Sequence, residues 1–293
     1  DKVMELIPEI SKENIIAEPV GRNTAPCLGY SVMLLLKKSG DDIITVLPAD
    51  HIILDEDSFI KEMFNAFDFL SKMEGIVTFG IKPKRPETNY GYILKDESPL
   101  SKFPYKVYKA IKFVEKPNLS KAREYVQSEK YLWNSGMFVF KASFFMDKFK
   151  ICLPHIYNGI ENVILKTNDT EEIRKTYEAF PKISIDYGVM ENIEEIYTLE
   201  VDIGWDDLGN WLSFENILDK DASGNILIKG NYVGVDTNDS IIYSEDNLIA
   251  TVGVKDLVVA SSNNAVLICH KDKIQDIRKV VSKLDDEKLK KFK

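Results

Sequence analysis

Over roughly its first two hundred residues the chain alternates apolar runs of strand length with longer stretches of helical periodicity. "DIITVLPAD" is a nearly continuous apolar run, the pattern of a strand buried on both faces, and "GIVTFGI" and "WNSGMFVFKA" follow as further strands. "NIIAEP" is a shorter strand candidate, and Glu195 to Val201 reads as another strand. Between them, "RNTAPCLGYSVMLLLKKSG" predicts a helix that Asn23 or Thr24 can cap, with Pro26 in its first turn and Gly40 at its end. "DSFIKEMFNAFDFLSKMEG" predicts a second helix, and Ser120 starts a third. More follow after Ala142, one with Asp169 and Glu172 in capping-box spacing. The alternation predicts an α/β sheet covered by helices on both faces.

Two segments depart from this rhythm. From Pro83 to Pro117 short aromatic and β-branched runs are separated by turn residues, which predicts hairpins forming a lid or floor beside the sheet. From about Ala222 short strands separated by Gly, Asn and Asp turns predict a small β domain, coiled or stacked helically, ending in a charged helix from about Lys273. The expected domains are therefore 1–221 and 222–293.

Composition narrows the function classes. With 44% apolar and 29% charged residues among 293, and no apolar run long enough to span a bilayer, the chain reads as a soluble globular protein without a signal peptide. Three widely separated cysteines, Cys27, Cys152 and Cys269, fit a reducing cytoplasm better than a disulfide framework, and no paired Cys or His spacing suits structural zinc. A net charge of −9 argues against holding nucleic acid through a broad basic face. A nucleotide stays open, because a divalent cation can bridge carboxylate to phosphate.

Several residues are candidates for chemistry, each with a plainer structural account beside it. Asp50 ends the strand "TVLPAD", where ligands of open α/β sheets sit, and is a candidate metal ligand or a cap; its neighbour His51 reads as structural. Glu115 and Lys116 in "FVEKP" suit sugar hydroxyls and a phosphate, but adjacent strand residues share a site only if the turn at Pro117 redirects the chain. Asn134, amid the apolar "YLWNSGMFVF", either holds a loop or addresses a ligand. In "EPVGRNTAP" the helix start can present N–H groups to an anion or a base edge, with Glu18 accepting from guanine, or Glu18 is a strand-end charge and Asn23 a cap. Asp186 in "SIDYGVME" either caps a helix or has a partner that offsets its apolar surroundings. In "DIGWDDLGNW", Gly204 and Gly209 read as turn points and Trp205 and Trp211 as packing.

Taken in order, "EPVGRNTAP", "LPADH", "NYGYI", "FVEKP", "WNSGMF", "SIDYGVME" and "GWDDLGNW" resemble bacterial mannose-1-phosphate guanylyltransferases, a branch of the sugar-1-phosphate nucleotidyltransferases. The likeness covers nearly the whole chain and extends into "VGVKDLVVASSNNAVLI". It implies a Rossmann-like, GT-A-like mixed sheet with a small β-helix-like C-terminal domain. It implies attack of mannose 1-phosphate on the α-phosphate of GTP, giving GDP-mannose and pyrophosphate in a cytoplasmic homodimer, with no part for nucleic acid or membrane. On this resemblance Asp50 and Asp207 hold Mg²⁺, while Asp202 and Asp206 are not ligands. Gly91, Glu115 and Asn134 address the sugar, Lys116 its phosphate, and Asp186 lies close by. Glu18, Pro19, Asn23 and Thr24 frame the guanine, and the catalytic set is Lys116, Asp50 and Asp207.

The same resemblance sets further expectations. The family's glycine-rich phosphate loop is absent from this sequence, so little or no turnover and a damaged sheet edge are expected of this chain alone. No cupin-type isomerase domain follows the β segment, so a single activity is expected. The alternatives are a nucleotidyltransferase for another base or sugar, an inactive regulator that binds the nucleotide-sugar, and a metal-dependent glycosyltransferase using Asp206 and Asp207.

Overall fold

A computed structural model describes residues 2–167, 169–209 and 211–284. The chain divides into two compact units, residues 1–49 with 53–205, and residues 50–52 with 206–293. In chain order the first part carries α1 (Lys2–Leu6), α2 (Thr24–Ser39), β1 (Ile43–Val46), β2 (Ile52–Ile53), α3 (Glu56–Lys72) and β3 (Ile76–Ile81). There follow β4 (Gly91–Lys95), β5 (Val107–Val114), α4 (Leu119–Ser128), β6 (Tyr131–Lys141), α5 (Ala142–Cys152) and α6 (Pro154–Gly159). After a π-helical turn at Ile160–Ile164 come α7 (Thr170–Glu178), α8 (Ile185–Gly188), β7 (Ile196–Val201) and β8 (Trp205–Asp206).

The main sheet of the first unit runs β1-β6-β3-β7-β5-β4. β3 and β7 are parallel and the other pairs antiparallel. β4 pairs with β6 as well as with β5, so β6, β3, β7, β5 and β4 close into a ring. Period-2 alternation sends neighbouring side chains to opposite cores. Ile76, Phe138, Phe140 and Ile196 pack with Val32, Phe145, Phe149 and Tyr177 on one face. Val77, Phe79, Val139 and Leu199 pack with Phe69, Leu70, Ala122 and Tyr125 on the other. Helices therefore cover both faces, as the alternation predicts.

The caps follow residue chemistry. Asn23 Oδ1 accepts from Thr24 N–H at the start of α2, Gly40 ends that helix with φ 91°, and Asp169 accepts from Glu171 and Glu172 at the start of α7. The third predicted helix is capped two residues earlier than Ser120 suggests, by Asn118 accepting from Lys121 N–H.

Three other expectations change. "NIIAEP" forms no strand, since its Ile15–Ala17 stretch pairs with nothing among the described residues and Pro19 lacks a ladder donor. "DIITVLPAD" is extended only at Ile43–Val46 and is half-buried rather than enclosed, because β6 alone pairs with β1 among the described residues. The segment from Pro83 to Pro117 is neither lid nor floor; its two runs are β4 and β5, strands of the sheet itself.

The second unit stacks β9 (Ile226–Val235), β10 (Ile241–Val252), β11 (Leu257–Ser262) and β12 (Ala265–His270). β9, β10 and β11 are parallel although only short turns join them; each turn carries the chain to the next rung, giving the β-helix-like stack expected. Inside it Asn225 donates to Asp221 Oδ2 (3.2 Å) and to the Thr237 carbonyl (2.9 Å), and accepts from Ser240 N–H (3.0 Å). A 3₁₀ turn at Lys271–Asp276 and then α9 (Ile277–Lys283) follow, where a single helix from Lys273 is expected. Among the described residues no helix is long and apolar enough to cross a membrane.

The packing of α2 against α5 leaves no room at Gly29, where an added Cβ would stand 2.4 Å from Phe149 Cζ. Phe149 is fully buried and has no space to yield. Gly29→Ala is expected to cost about 1–3 kcal/mol by overpacking. Urea denaturation checks this; an unchanged midpoint would contradict the packing described.

Candidate active site

The site of the first unit is built on an irregularity in β6. Thr78 pairs with Phe138 but Gly80 pairs with Asn134, so β6 carries extra residues that bulge around Gly136, whose φ is 69°. Ser135 Oγ fastens the bulge by donating to the Phe79 carbonyl (2.6 Å) and accepting from Met137 N–H (3.3 Å). The Asn134 amide is thereby held on three sides. Its Oδ1 accepts from Gly136 N–H (3.2 Å) and Thr78 Oγ1 (3.4 Å), and its Nδ2 donates to Asp186 Oδ1 (2.9 Å). One N–H of Nδ2 is left over by this count.

Gly91 stands opposite Asn134 in the β4–β6 register. A Cβ there would meet Glu115 Oε2 at 2.8 Å and Asn134 Cβ at 3.3 Å, so only glycine lets the Glu115 carboxylate and Asn134 lie this close over the backbone. Glu115 follows β5 directly, and Lys116 takes the left-handed conformation, φ 46°. That backbone turn answers the requirement for adjacent residues to share a site. Lys116 Nζ swings back to donate to Glu115 Oε1 at 2.7 Å, leaving Oε2 beside Gly91. The structure thus brings Gly91, Glu115, Lys116, Asn134 and Asp186 together.

Charge in this cluster is unevenly compensated. The Lys116 ammonium is raised above its ordinary range chiefly by its hydrogen bond to Glu115. The Asp186 carboxyl is also raised, first by burial and then by the Glu115 carboxylate, against the opposing bond from Asn134. Glu191 is raised by burial, then by Asp186 and Glu115. Glu191 and Thr78 are members of the cluster that the sequence reading missed. Glu191 lies within "SIDYGVME", so that motif held a signal; Thr78 enters only through strand register. Asp186 is not the cap of α8, a role Ser184 fills by accepting from Tyr187 N–H.

The nucleotide-binding candidates occupy the start of α2, where one expectation fails. The Thr24 N–H is taken by Asn23, the Ala25 N–H by the Ile183 carbonyl (3.1 Å), and Pro26 has none, so these N–H groups are not presented to an anion. Thr24 Oγ1 accepts from Ile185 N–H at 2.8 Å, and Pro19 is exposed. Glu18 accepts from the buried Tyr177 hydroxyl at 2.5 Å, and burial first and Glu18 second push the Cys27 thiol up to about 11.

Asp50 and Asp207 belong to the second unit. Asp50 is exposed and stands 4.0 Å from His51 Nε2; His51 is lowered by burial, with Asp50, Asp207 and Asp206 opposing in that order. Asp207 Oδ1 accepts from Gly209 N–H (2.8 Å). The buried Asp206 accepts from Leu208 N–H (3.2 Å), and Asp202 pairs with Lys84 in the first unit (3.7 Å). The left-handed residue of this turn is Leu208, with φ 49°, whereas Gly204 does take positive φ, 63°. Trp205 packs on Tyr90 and Trp211 on Tyr243, as expected of packing residues.

Residues 2–224 match the nucleotidyl transferase family, and residues 230–284 match the mannose-phosphate isomerase/GMP-like β-helix domain. The chain belongs to the nucleotidyl transferase family. Among relatives of this nucleotidyl transferase chain, a mannose-1-phosphate guanylyltransferase of Salmonella muenchen is 41% identical over 290 residues, 96% of this chain and 60% of the relative. The chain spans about 60% of the length of such curated relatives. A solved structure from Thermus thermophilus, described as a mannose-1-phosphate geranyltransferase, superposes with TM-score 0.81 at 33% identity. The match covers 92% of this chain and 77% of that one. A mannose-6-phosphate isomerase from Helicobacter pylori superposes less fully, with TM-score 0.58 at 28% identity over 69% of this chain and 78% of that one.

The raised Asp186 gives a signed prediction. A carboxyl whose folded-state value lies above its unfolded value favours the folded state while protonated, and that contribution is lost as pH climbs past about 4 toward the folded value. Asp186→Asn keeps an oxygen for Asn134 and removes the titration. The variant is expected to lose less stability than the parent over that interval. Denaturation midpoints at a series of pH values check this, and parallel profiles would contradict it.

Proposed function

We propose that the chain is a mannose-1-phosphate guanylyltransferase, moving GMP from GTP to mannose 1-phosphate and releasing pyrophosphate. The observation that carries this reading is the convergence of Gly91, Glu115, Lys116, Asn134 and Asp186 in one cluster; the similarity to guanylyltransferases supports it. Glu115 Oε2 is a hydroxyl acceptor and the remaining Asn134 N–H a donor, a pair suited to sugar hydroxyls, while Gly91 lets the ring approach the backbone. Lys116 offsets the charge of the sugar phosphate, whose oxygen attacks the α-phosphorus of GTP. The P–O bond to the β-phosphate breaks and pyrophosphate leaves.

In this reading Asp50 and Asp207 would hold the family's divalent cation, Mg²⁺. Their chemistry fits the ion. Both offer hard carboxylate oxygens, and both act on the charge of the same His51 side chain, which places them in one neighbourhood of the second unit. When bound, Mg²⁺ would neutralise charge on the triphosphate. Glu18, Pro19, Asn23 and Thr24 would frame guanine, with Tyr177 orienting Glu18. The reading includes a cytoplasmic homodimer; its support is three free thiols and exposed Val252, Val266 and Ile268 on the β stack.

Calorimetric titration tests the sugar site. Mannose 1-phosphate is expected to bind saturably and more tightly than glucose 1-phosphate, with Glu115→Gln or Asn134→Ala weakening it roughly tenfold or more. No binding, or binding that ignores both substitutions, would overturn the assignment. Asp207→Asn is expected to remove the Mg²⁺-dependent part of GTP binding, and an unchanged dependence would sink the metal assignment.

A further inference from the structure

The ring of five strands has a mouth at the end remote from Gly91, and there the first unit holds a cavity of about 390 Å³. Lys95 at the end of β4, Lys106 just before β5 and Lys82 just after β3 supply three ammonium groups to its wall. Glu200 on β7 pairs with two of them. Its partners are Lys95, with both side chains largely buried, and Lys106, at 3.6 Å and exposed. Lys82 has no carboxylate partner among the described residues. Two lysines sharing one carboxylate leave one positive charge, and Lys82 adds a second. Glu129, exposed on the rim, opposes them.

The rest of the wall is apolar or aromatic: Pro83, Val126 and Leu132 with the rings of Tyr108 and Tyr131. The Lys95 ammonium lies 4.1 Å from the Tyr108 ring centroid, and Tyr131 stacks on Tyr125. One pleat from Glu200 on the same face of β7 is Thr198, fully buried, with a hydroxyl that has no hydrogen-bond partner. That hydroxyl and the Leu132 side chain, which lines the cavity, meet over Gly80, where a Cβ would stand 2.4 and 2.5 Å from them. A buried unsatisfied hydroxyl costs stability unless a polar group comes to it. The Thr198 hydroxyl thus lies behind the Leu132 part of the cavity wall as an unmet polar position.

We propose that this cavity is a second anion site, taking a phosphate dianion, free or as a small monoester, separate from the sugar site at Glu115 and Lys116. Lysines meet phosphate as point charges, and three ammonium groups against the carboxylates of Glu200 and Glu129 leave the wall one net positive charge to attract an anion. The volume exceeds what phosphate alone occupies, and the tyrosine rings give a carbon skeleton an apolar wall.

Inorganic phosphate and glycerol 3-phosphate are titrated calorimetrically into the full chain at low salt, and into Lys82→Ala/Lys106→Ala and Lys116→Ala. Saturable binding is expected, weakened at least tenfold in the double variant and retained in Lys116→Ala. The two exposed lysines are removable without loss of fold, which the thermal midpoint of the double variant verifies. Tighter binding of glycerol 3-phosphate identifies a monoester as the occupant; equal binding identifies free phosphate. No saturable binding, or binding lost in Lys116→Ala and kept in the double variant, would overturn the proposal.

Discussion

The candidate site depends on the bulge in β6. A regular strand from Tyr131 to Lys141 would keep β6 in step with β3 and point Asn134 by simple alternation. The extra residues around Gly136 break that step, and Ser135 Oγ ties the displaced backbone to Phe79. Asn134 is then set opposite Gly91 and within reach of Asp186, which arrives from a distant helical turn. β6 also pairs with β1, β3 and β4, so the strand that carries the bulge joins the sheet to the ring. Stability and site geometry thus share one element, which is how a rigid scaffold holds a few polar groups in place.

A second constraint is charge. Glu115, Asp186 and Glu191 crowd together, and burial keeps the latter two from ionising as readily as they would in water. Lys116 offsets this crowding only because its left-handed backbone returns the ammonium to Glu115. The same contact leaves Oε2 of Glu115 beside Gly91, so the ion pair orients the acceptor.

Much of this was legible in the sequence, for reasons of periodicity and residue chemistry. Continuous apolar runs located β3 and β6, Asn23 and Gly40 bounded α2, and Gly-Asn-Asp turns announced the β stack. The ordered motifs named the residues that meet in the cluster around Asn134. What stayed hidden are consequences of register and tertiary hydrogen bonding. Thr78 joins Asn134 through strand pairing, and the Ile183 carbonyl takes the Ala25 N–H that would otherwise face an anion. Apolar continuity also overstated the burial of β1, because periodicity reports what a strand can pack against and not how many neighbours it has. The turn at Lys116 had one hint, Pro117, which suggested a bend without giving its hand.

If the sugar sits where Gly91, Glu115 and Asn134 meet, a side chain at position 91 must disturb its binding. Calorimetric titration of Gly91→Ala with mannose 1-phosphate, beside its thermal midpoint, tests this most directly. The added Cβ would meet only the end of the flexible Glu115 side chain on one side and Asn134 Cβ at 3.3 Å on the other. A midpoint near that of the parent is expected, with binding weakened at least tenfold. Binding equal to the parent's in a folded Gly91→Ala protein would contradict it.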